Sequence, residues 1–232
     1  SLHVTGGFNE NQLIEALSDK DEYVRAWAIQ LICEDKSPSA GAVEEFNRMA
    51  IKDPSPVVRL YLASTLQRLD HDNRWSIARA LVSHAEDGSD HNLPKMIWYG
   101  VEPLVAGNSV RALELTSESK MPMVTRYIAR RSVDANDVDA LIAHLEKKTE
   151  STATLLEGML DGLEGRKDIV APKNWASLYR TLQSSRDSKV KQLAVAIAQQ
   201  FGDTEAAQEF ITTVRDYGKP LDERVKALNA LA

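Results

Sequence analysis

Five side chains of metal-ligand type, His84, Glu86, Asp87, Asp90 and His91, fall within eight positions, close to Asp70-His71-Asp72. A transition metal or calcium needs such donors at a set spacing, as in His-x-x-x-His on one helix face or an Asp-x-Asp-x-Asp-Gly loop. Neither spacing occurs, so the segment reads as a solvated loop between helices, and no metal is expected. Ser117-Glu118-Ser119-Lys120 has the Ser-x-x-Lys form of an acylating nucleophile, but its Ser-Asp-Asn and Lys-Thr-Gly companions are missing. No catalytic residue and no cofactor are assigned.

Two groups could recognise a partner. Arg126, Arg130 and Arg131 form the densest basic cluster, with Arg126 and Arg130 one helical turn apart. Arginine forks suit carboxylate, phosphate or sulfate; Asp134, Asp137 and Asp139 stand nearby in sequence, and internal ion pairing is the preferred account. Met96, Trp98, Tyr99 and Glu102 crowd one short segment. Amphipathic aromatics beside a polar group make a recognition patch, while bulk that fills space between helices is the plainer role for Trp98 and Tyr99. Trp98, Tyr99, Glu102, Arg126 and Arg130 are therefore the candidate interaction surface.

The elements that carry these residues repeat. Positions 24, 58, 94, 124, 155, 190 and 225 each open an apolar stretch beside a basic or polar residue, often after an acid, at steps of 30 to 36 residues. A period near 34 is that of helical repeat arrays. Val24, Trp27, Ala28 and Leu31 fall at i, i+3, i+4, i+7, as do Val190, Leu193, Ala194 and Ile197. Partner helices are expected at Val138-Leu141-Ile142-Leu145, Trp175-Leu178-Tyr179-Leu182 and Ala207-Phe210-Ile211-Val214. Neither helix of a pair can bury its stripe alone, so stacked pairs share one core.

The helix breakers fit this plan. Pro54, Pro56, Pro172 and Pro220 stand where helices start, and Gly88, Gly107, Gly165 and Gly202 stand between them, where a left-handed residue is useful. Pro103 lies inside the 92–106 segment and should kink its helix. Cys33, at the end of an apolar helix, reads as core.

Composition closes off other classes. The chain has 232 residues, with 28 Lys+Arg against 34 Asp+Glu and a net charge of −6. No apolar run of about 18 residues is present, so no membrane span is expected. An acidic balance speaks against a nucleic-acid-binding module. A single cysteine leaves no internal disulfide. Ser1 in place of Met, and a last helix starting near Leu221 and still running at Ala232, suggest a piece of a longer protein.

The acid followed by Val-Arg or Val-Lys at the head of a second helix resembles the HEAT-repeat family, over roughly residues 8 to 232. The tetratricopeptide signature is missing. The resemblance implies that Asp21, Arg25, Asp53, Arg59, Asp187 and Lys191 are structural and tie neighbouring repeats together. A narrower resemblance rests on Asp53-Pro-Ser-Pro-Val-Val-Arg-Leu-Tyr-Leu-Ala-Ser-Thr-Leu-Gln-Arg-Leu69 and His91-Asn-Leu-Pro-Lys-Met-Ile-Trp-Tyr-Gly-Val-Glu-Pro-Leu-Val105. Both stretches are similar to the HEAT region of exported bacterial proteins described as membrane-bound dehydrogenases, which join a sugar-dehydrogenase-like β-propeller, a HEAT array and a c-type haem domain. That likeness implies export to the periplasm and a spacer role between redox domains. This chain has no Cys-x-x-Cys-His of its own.

The reading is an all-α, right-handed α-α superhelix of the HEAT/armadillo kind, one array over 1–232 with about six to seven helix pairs. It is expected to be monomeric and non-catalytic, with a protein as partner. The alternatives are a small anionic or sugar ligand at the 92–106 helix and, further off, a nucleic acid.

Overall fold

A computed structural model describes residues 9–34, 37–147, 149–166, 169–202 and 211–229. Among them the regular structure is helical and no strand occurs. The helices are α1 (Glu10–Ala16), α2 (Glu22–Ile32), α3 (Ala40–Lys52), α4 (Pro56–Thr65), α5 (His71–Val82), α6 (Leu93–Gly107), α7 (Ser109–Glu118), α8 (Pro122–Asp134), α9 (Val138–Leu145), α10 (Thr152–Leu163), α11 (Trp175–Gln183), α12 (Ser188–Gln200) and α13 (Leu221–Asn229).

Local chemistry starts them. Asn9 and Gln12 form a reciprocal capping box on α1. Asp21, Ser39, Ser55, Asn108 and Asp187 each accept a backbone N–H at the head of α2, α3, α4, α7 and α12, satisfying donors that the helix leaves orphaned. Pro56 and Pro122 stand first in α4 and α8, where no N–H is needed. Gly165 and Gly202 adopt left-handed φ of 75° and 65°. Gly88 and Gly107 do not. Gly88 is right-handed after a short 3-10 turn and Gly107 is the last residue of α6. Asn136, with φ 59°, supplies the left-handed turn before α9 instead.

The chain divides into two compact units, 1–125 and 126–232. In the first, α2 packs on α4 and α4 on α6, while α3 packs on α5 and α5 on α7. That is two layers of helix pairs, the arrangement of an α-α solenoid. In the second unit α10 packs on α12 and α9 on α11, by the same rule. All seven repeat anchors fall on second helices: α2, α4, α6, α8, α10, α12 and α13. The first helix of the seventh pair was read around Ala207 and Phe210, and residues 203–210 lie outside the described residues.

The expected stripes of α9 and α11 are buried at every position: Val138, Leu141, Ile142 and Leu145, then Trp175, Leu178, Tyr179 and Leu182. Each large apolar side chain so buried contributes about 1.5–3 kcal/mol. On α12, Val190, Ala194 and Ile197 are buried as expected, with Leu193 half-buried. Cys33 is fully buried, as expected of a core residue. The stripe of α2 is rotated from its expected phase. Ala26, Ala28, Ile29 and Ile32 face the core, while Trp27 and Val24 are exposed. Small alanines let α2 lie close to its neighbours, and the larger indole is left outside.

Three glycines mark close helix crossings. A Cβ at Gly100 of α6 would stand 2.4 Å from Leu66 Cβ. On α10, a Cβ at Gly158 would meet the Arg126 carbonyl oxygen at 2.1 Å, and one at Gly162 would meet Val133 Cβ at 2.7 Å. Gly158 and Gly162, one turn apart, thus form a flat strip on which α8 rests. α6 runs as one helix through Pro103.

Candidate interaction surface

The arginines that follow the first two repeat anchors, Arg25 and Arg59, are spent inside the fold. Arg25 of α2 donates from Nε and Nη2 to the Asp53 carboxylate at 2.7 and 2.9 Å, and from Nη1 to the carbonyls of Asp19 and Lys20. Arg59 of α4 does the same one repeat later: Nη2 donates to Asp87 Oδ1 at 2.7 Å, Nε to the other oxygen, and Nη1 to the Asp53 carbonyl at 2.9 Å. Asp53 therefore joins two rungs, its carboxylate taken by Arg25 and its backbone by Arg59. The Ser55 hydroxyl adds a hydrogen bond to Glu22. Hydrogen bonding to Asp53 and to Asp87 raises the two guanidinium pKa values further above their ordinary value.

This ladder corrects the reading of the His84–His91 segment. Asp87 is buried, 3% exposed, and ion-paired with Arg59; it is not part of a solvated loop. His84 is tied in as well, its Nε2 donating to the Ala50 carbonyl at 2.8 Å. Asp90 accepts the N–H groups of Leu93 and Asn92, which hold its carboxyl below the ordinary carboxylate range. Among the described residues, no group of three or more His, Cys, Asp or Glu is placed to hold a metal ion.

In the second unit, Arg126 grips Asp161 of α10 through Nε and Nη2 at 2.6 and 2.8 Å, with Glu157 at 3.9 Å. The aspartates that follow it in sequence, Asp134, Asp137 and Asp139, are not its partners. A residue on α8 meets the next second helix, not the loop at its own end. Asp134 instead approaches Arg166 at 4.0 Å. Arg130 is exposed. Asp21 and Asp187 act locally as caps. Lys189, not Lys191, reaches across to Glu157.

The surface set aside in sequence divides between the units. Arg126 and Arg130 belong to the second. Trp98, Tyr99 and Glu102 lie on α6 in the first: Tyr99 is 53% exposed, while Trp98 and Glu102 are half-buried and each is engaged in an interaction within the fold. Beside them opens a cleft of about 440 Å³ lined by Trp27, Gln30, Leu60, Tyr61, Ser64, Asn92 and Met96. The Trp27 and Tyr61 rings lie 6.4 Å apart and tilted by 57°. No lining residue is charged. The lining residues of α2 and α4 were missed in sequence, although a signal was there. Arg25 and Arg59, Trp27 and Tyr61, and Gln30 and Ser64 are each 34 residues apart, so overlaying two repeats superposes the aromatic pair.

Stacked helix pairs, arginines that bridge the first pair to the second and the second to the third, and the 34-residue register those two arginines share describe one kind of repeat. Residues 10–96 match the family model for HEAT repeats. The HEAT match spans α1 through the first turn of α6, and so contains both ladder arginines and the whole cleft lining. Among solved structures, a designed armadillo repeat protein is similar over 83% of this chain and 100% of its own, at 11% identity and a TM-score of 0.34. No curated protein matches the chain.

Proposed function

We propose that the chain is a non-catalytic scaffold that binds a protein partner on the outward face of its second helices. One observation carries this reading. Tyr23, Trp27 and Tyr99 are each more than half exposed, the first two beside an arginine, Arg25, that is already used between repeats. Aromatic side chains left in water on a rigid stack are the residues that anchor protein interfaces. The test is a photo-crosslinking amino acid placed at Tyr23 or Tyr99 in the source cell, with Ile51, exposed on a first helix, as the control position. Discrete protein adducts at the two tyrosines and none at Ile51 are expected; equal labelling would sink the assignment.

A narrower form of the reading rests on the two sequence stretches 53–69 and 91–105. In it the array sets the distance between an oxidising propeller and a haem domain in an exported protein, a purely geometric role. An open reading frame that encodes neither a propeller nor Cys-x-x-Cys-His beside these repeats would end that form and leave the scaffold standing. The alternative of an anionic ligand at the 92–106 helix finds no counter-charge in the cleft lining.

A further inference from the structure

The rung that joins second helices in the first unit has a fixed register. Arg25 donates to the carbonyl six residues before it, Asp19, and to the carboxylate 28 residues after it, Asp53. Arg59 repeats both offsets with the Asp53 carbonyl and the Asp87 carboxylate. In the second unit α10 packs on α12 as α2 packs on α4, but the residue after the anchor is Leu156, buried like Arg59. It brings no cation. The same two offsets, counted from Leu156, fall on Glu150 and Ser184. Both line a cleft of about 310 Å³ between the head of α10 and the turn from α11 to α12.

The cleft is built to accept hydrogen bonds. The Thr152 hydroxyl donates to the Thr149 carbonyl at 2.6 Å, and the Ser184 hydroxyl to the Thr181 carbonyl at 2.7 Å. Both protons are spent, so towards a guest these oxygens only accept. The Glu150 and Asp187 carboxylates are acceptors alone. Asp187 takes the backbone N–H of Lys189, and neither acid forms an ion pair with a described residue. Lys189 itself is turned to Glu157, and no lining residue is basic. The Thr149 hydroxyl oxygen is buried without a hydrogen-bond partner, a state that native folds seldom leave unmet. A guest matched to this lining is a cation that donates and does not accept. The guanidinium of arginine is such a group, with five N–H donors, and it is the group that this chain already seats at these offsets. A lysine ammonium is a point charge without that planar fork. A metal ion lacks ligands, since no group of three His, Cys, Asp or Glu is placed to hold one among the described residues.

We infer that the cleft between α10 and α12 receives an arginine side chain of a partner protein, whose guanidinium supplies the rung that Leu156 does not. The inference rests on the protein-binding reading and adds the chemistry of one contact on the second unit. Glu150 and Asp187 balance the charge, and the oxygens of Thr152 and Ser184 accept the remaining N–H groups.

The experiment is an NMR titration of the isotope-labelled full chain with the end-capped tripeptide Gly-Arg-Gly, against its lysine and citrulline counterparts. Saturable shifts of the Glu150, Ser184 and Asp187 amides are expected with the arginine peptide, weaker binding with lysine and none with citrulline, which keeps the shape and loses the charge. Glu150→Gln and Asp187→Asn should each weaken binding about three- to fivefold, and Glu164→Gln, an exposed acid outside the cleft, should leave it unchanged. Asparagine also caps a helix, so Asp187→Asn keeps the head of α12; circular dichroism and melting temperature verify the fold of each variant. No saturation at tens of millimolar peptide, equal binding of the citrulline peptide, or binding that survives both substitutions together would overturn the inference. So would lysine binding as tightly as arginine, or calcium shifting the same amides in place of the peptide, either of which would make the cleft a general cation site. Free arginine binding more tightly than the tripeptide would make it a small-molecule site, and the inference would fall. If the arginine peptide fails while crosslinks to protein persist at Tyr23 and Tyr99, this contact falls and the scaffold reading stands. If both fail, both fall.

Discussion

The Arg59 guanidinium and the Asp87 carboxylate, 28 residues apart in sequence, form a two-pronged ion pair in which both residues are 3% exposed. With Arg25–Asp53 it makes a continuous chain from α2 to the turn before α6, because Arg59 also donates to the Asp53 backbone. A buried pair of this kind is a poor source of net stability but a costly thing to break on one side. Arg59→Ala is therefore expected to lower unfolding free energy by about 3–5 kcal/mol, and Asp87→Ala by a similar amount. The double variant should lose less than the sum. Denaturant titration of the three variants measures this, and strict additivity would show that the two groups do not act as a pair.

The Gly158–Gly162 strip allows α8 and α10 to touch. Gly158→Ala places a methyl within 2.1 Å of a backbone oxygen that cannot move alone, and Gly162→Ala meets a β-branched side chain. Each should destabilise by about 1–3 kcal/mol through overpacking. Gly107→Ala, with nothing within 4 Å of its Cβ, should be neutral or slightly stabilising. Melting curves of the three variants separate close packing from backbone entropy.

Trp27 and Trp175 test which tryptophan belongs to the core. Trp27 is 56% exposed and Trp175 is 2% exposed, edge-on to Phe201 at 5.2 Å. Trp27→Ala should change stability by no more than about 0.5 kcal/mol, whereas Trp175→Ala should cost about 3–5 kcal/mol. A large loss at Trp27 would restore the stripe first read from the 3.6-residue period.

Acid should weaken the Arg126–Asp161 bridge. Hydrogen bonds from Arg126 hold the Asp161 carboxyl below its ordinary value of 3.8. A carboxyl depressed on folding stabilises fully above its unfolded value, and that stabilisation is lost as pH falls through the lower folded value. Both side chains are partly exposed, so the gap between the parent chain and Asp161→Asn should be only about 0.5–1 kcal/mol at pH 7. It should close as pH drops below about 3.8. A gap that persists unchanged into strong acid would mean that the ion pair is not its source.

The helices and their repeat were legible because they are local in cause. A 3.6-residue apolar period, an Asp or Ser at the cap and a proline at the first position act within one or two turns, and such a cap or proline heads α2, α4, α8 and α12. The arginines at 25 and 59 could be recognised as structural for the same reason: the motif recurs. Their partners could not. Asp87 sat among histidines and acids that looked like a wet loop, and only the crossing of one pair over the next brings it under Arg59. Trp27 was read into the buried stripe of α2, and the structure places it outside. A tryptophan fits an apolar stripe as well as an interface, and the answer depends on how far α2 is rotated against α4. The tertiary structure settled that rotation through the small residues Ala26 and Ala28. It thereby turned a residue read as core into the wall of a cleft, since burial is a property of neighbours and not of sequence spacing.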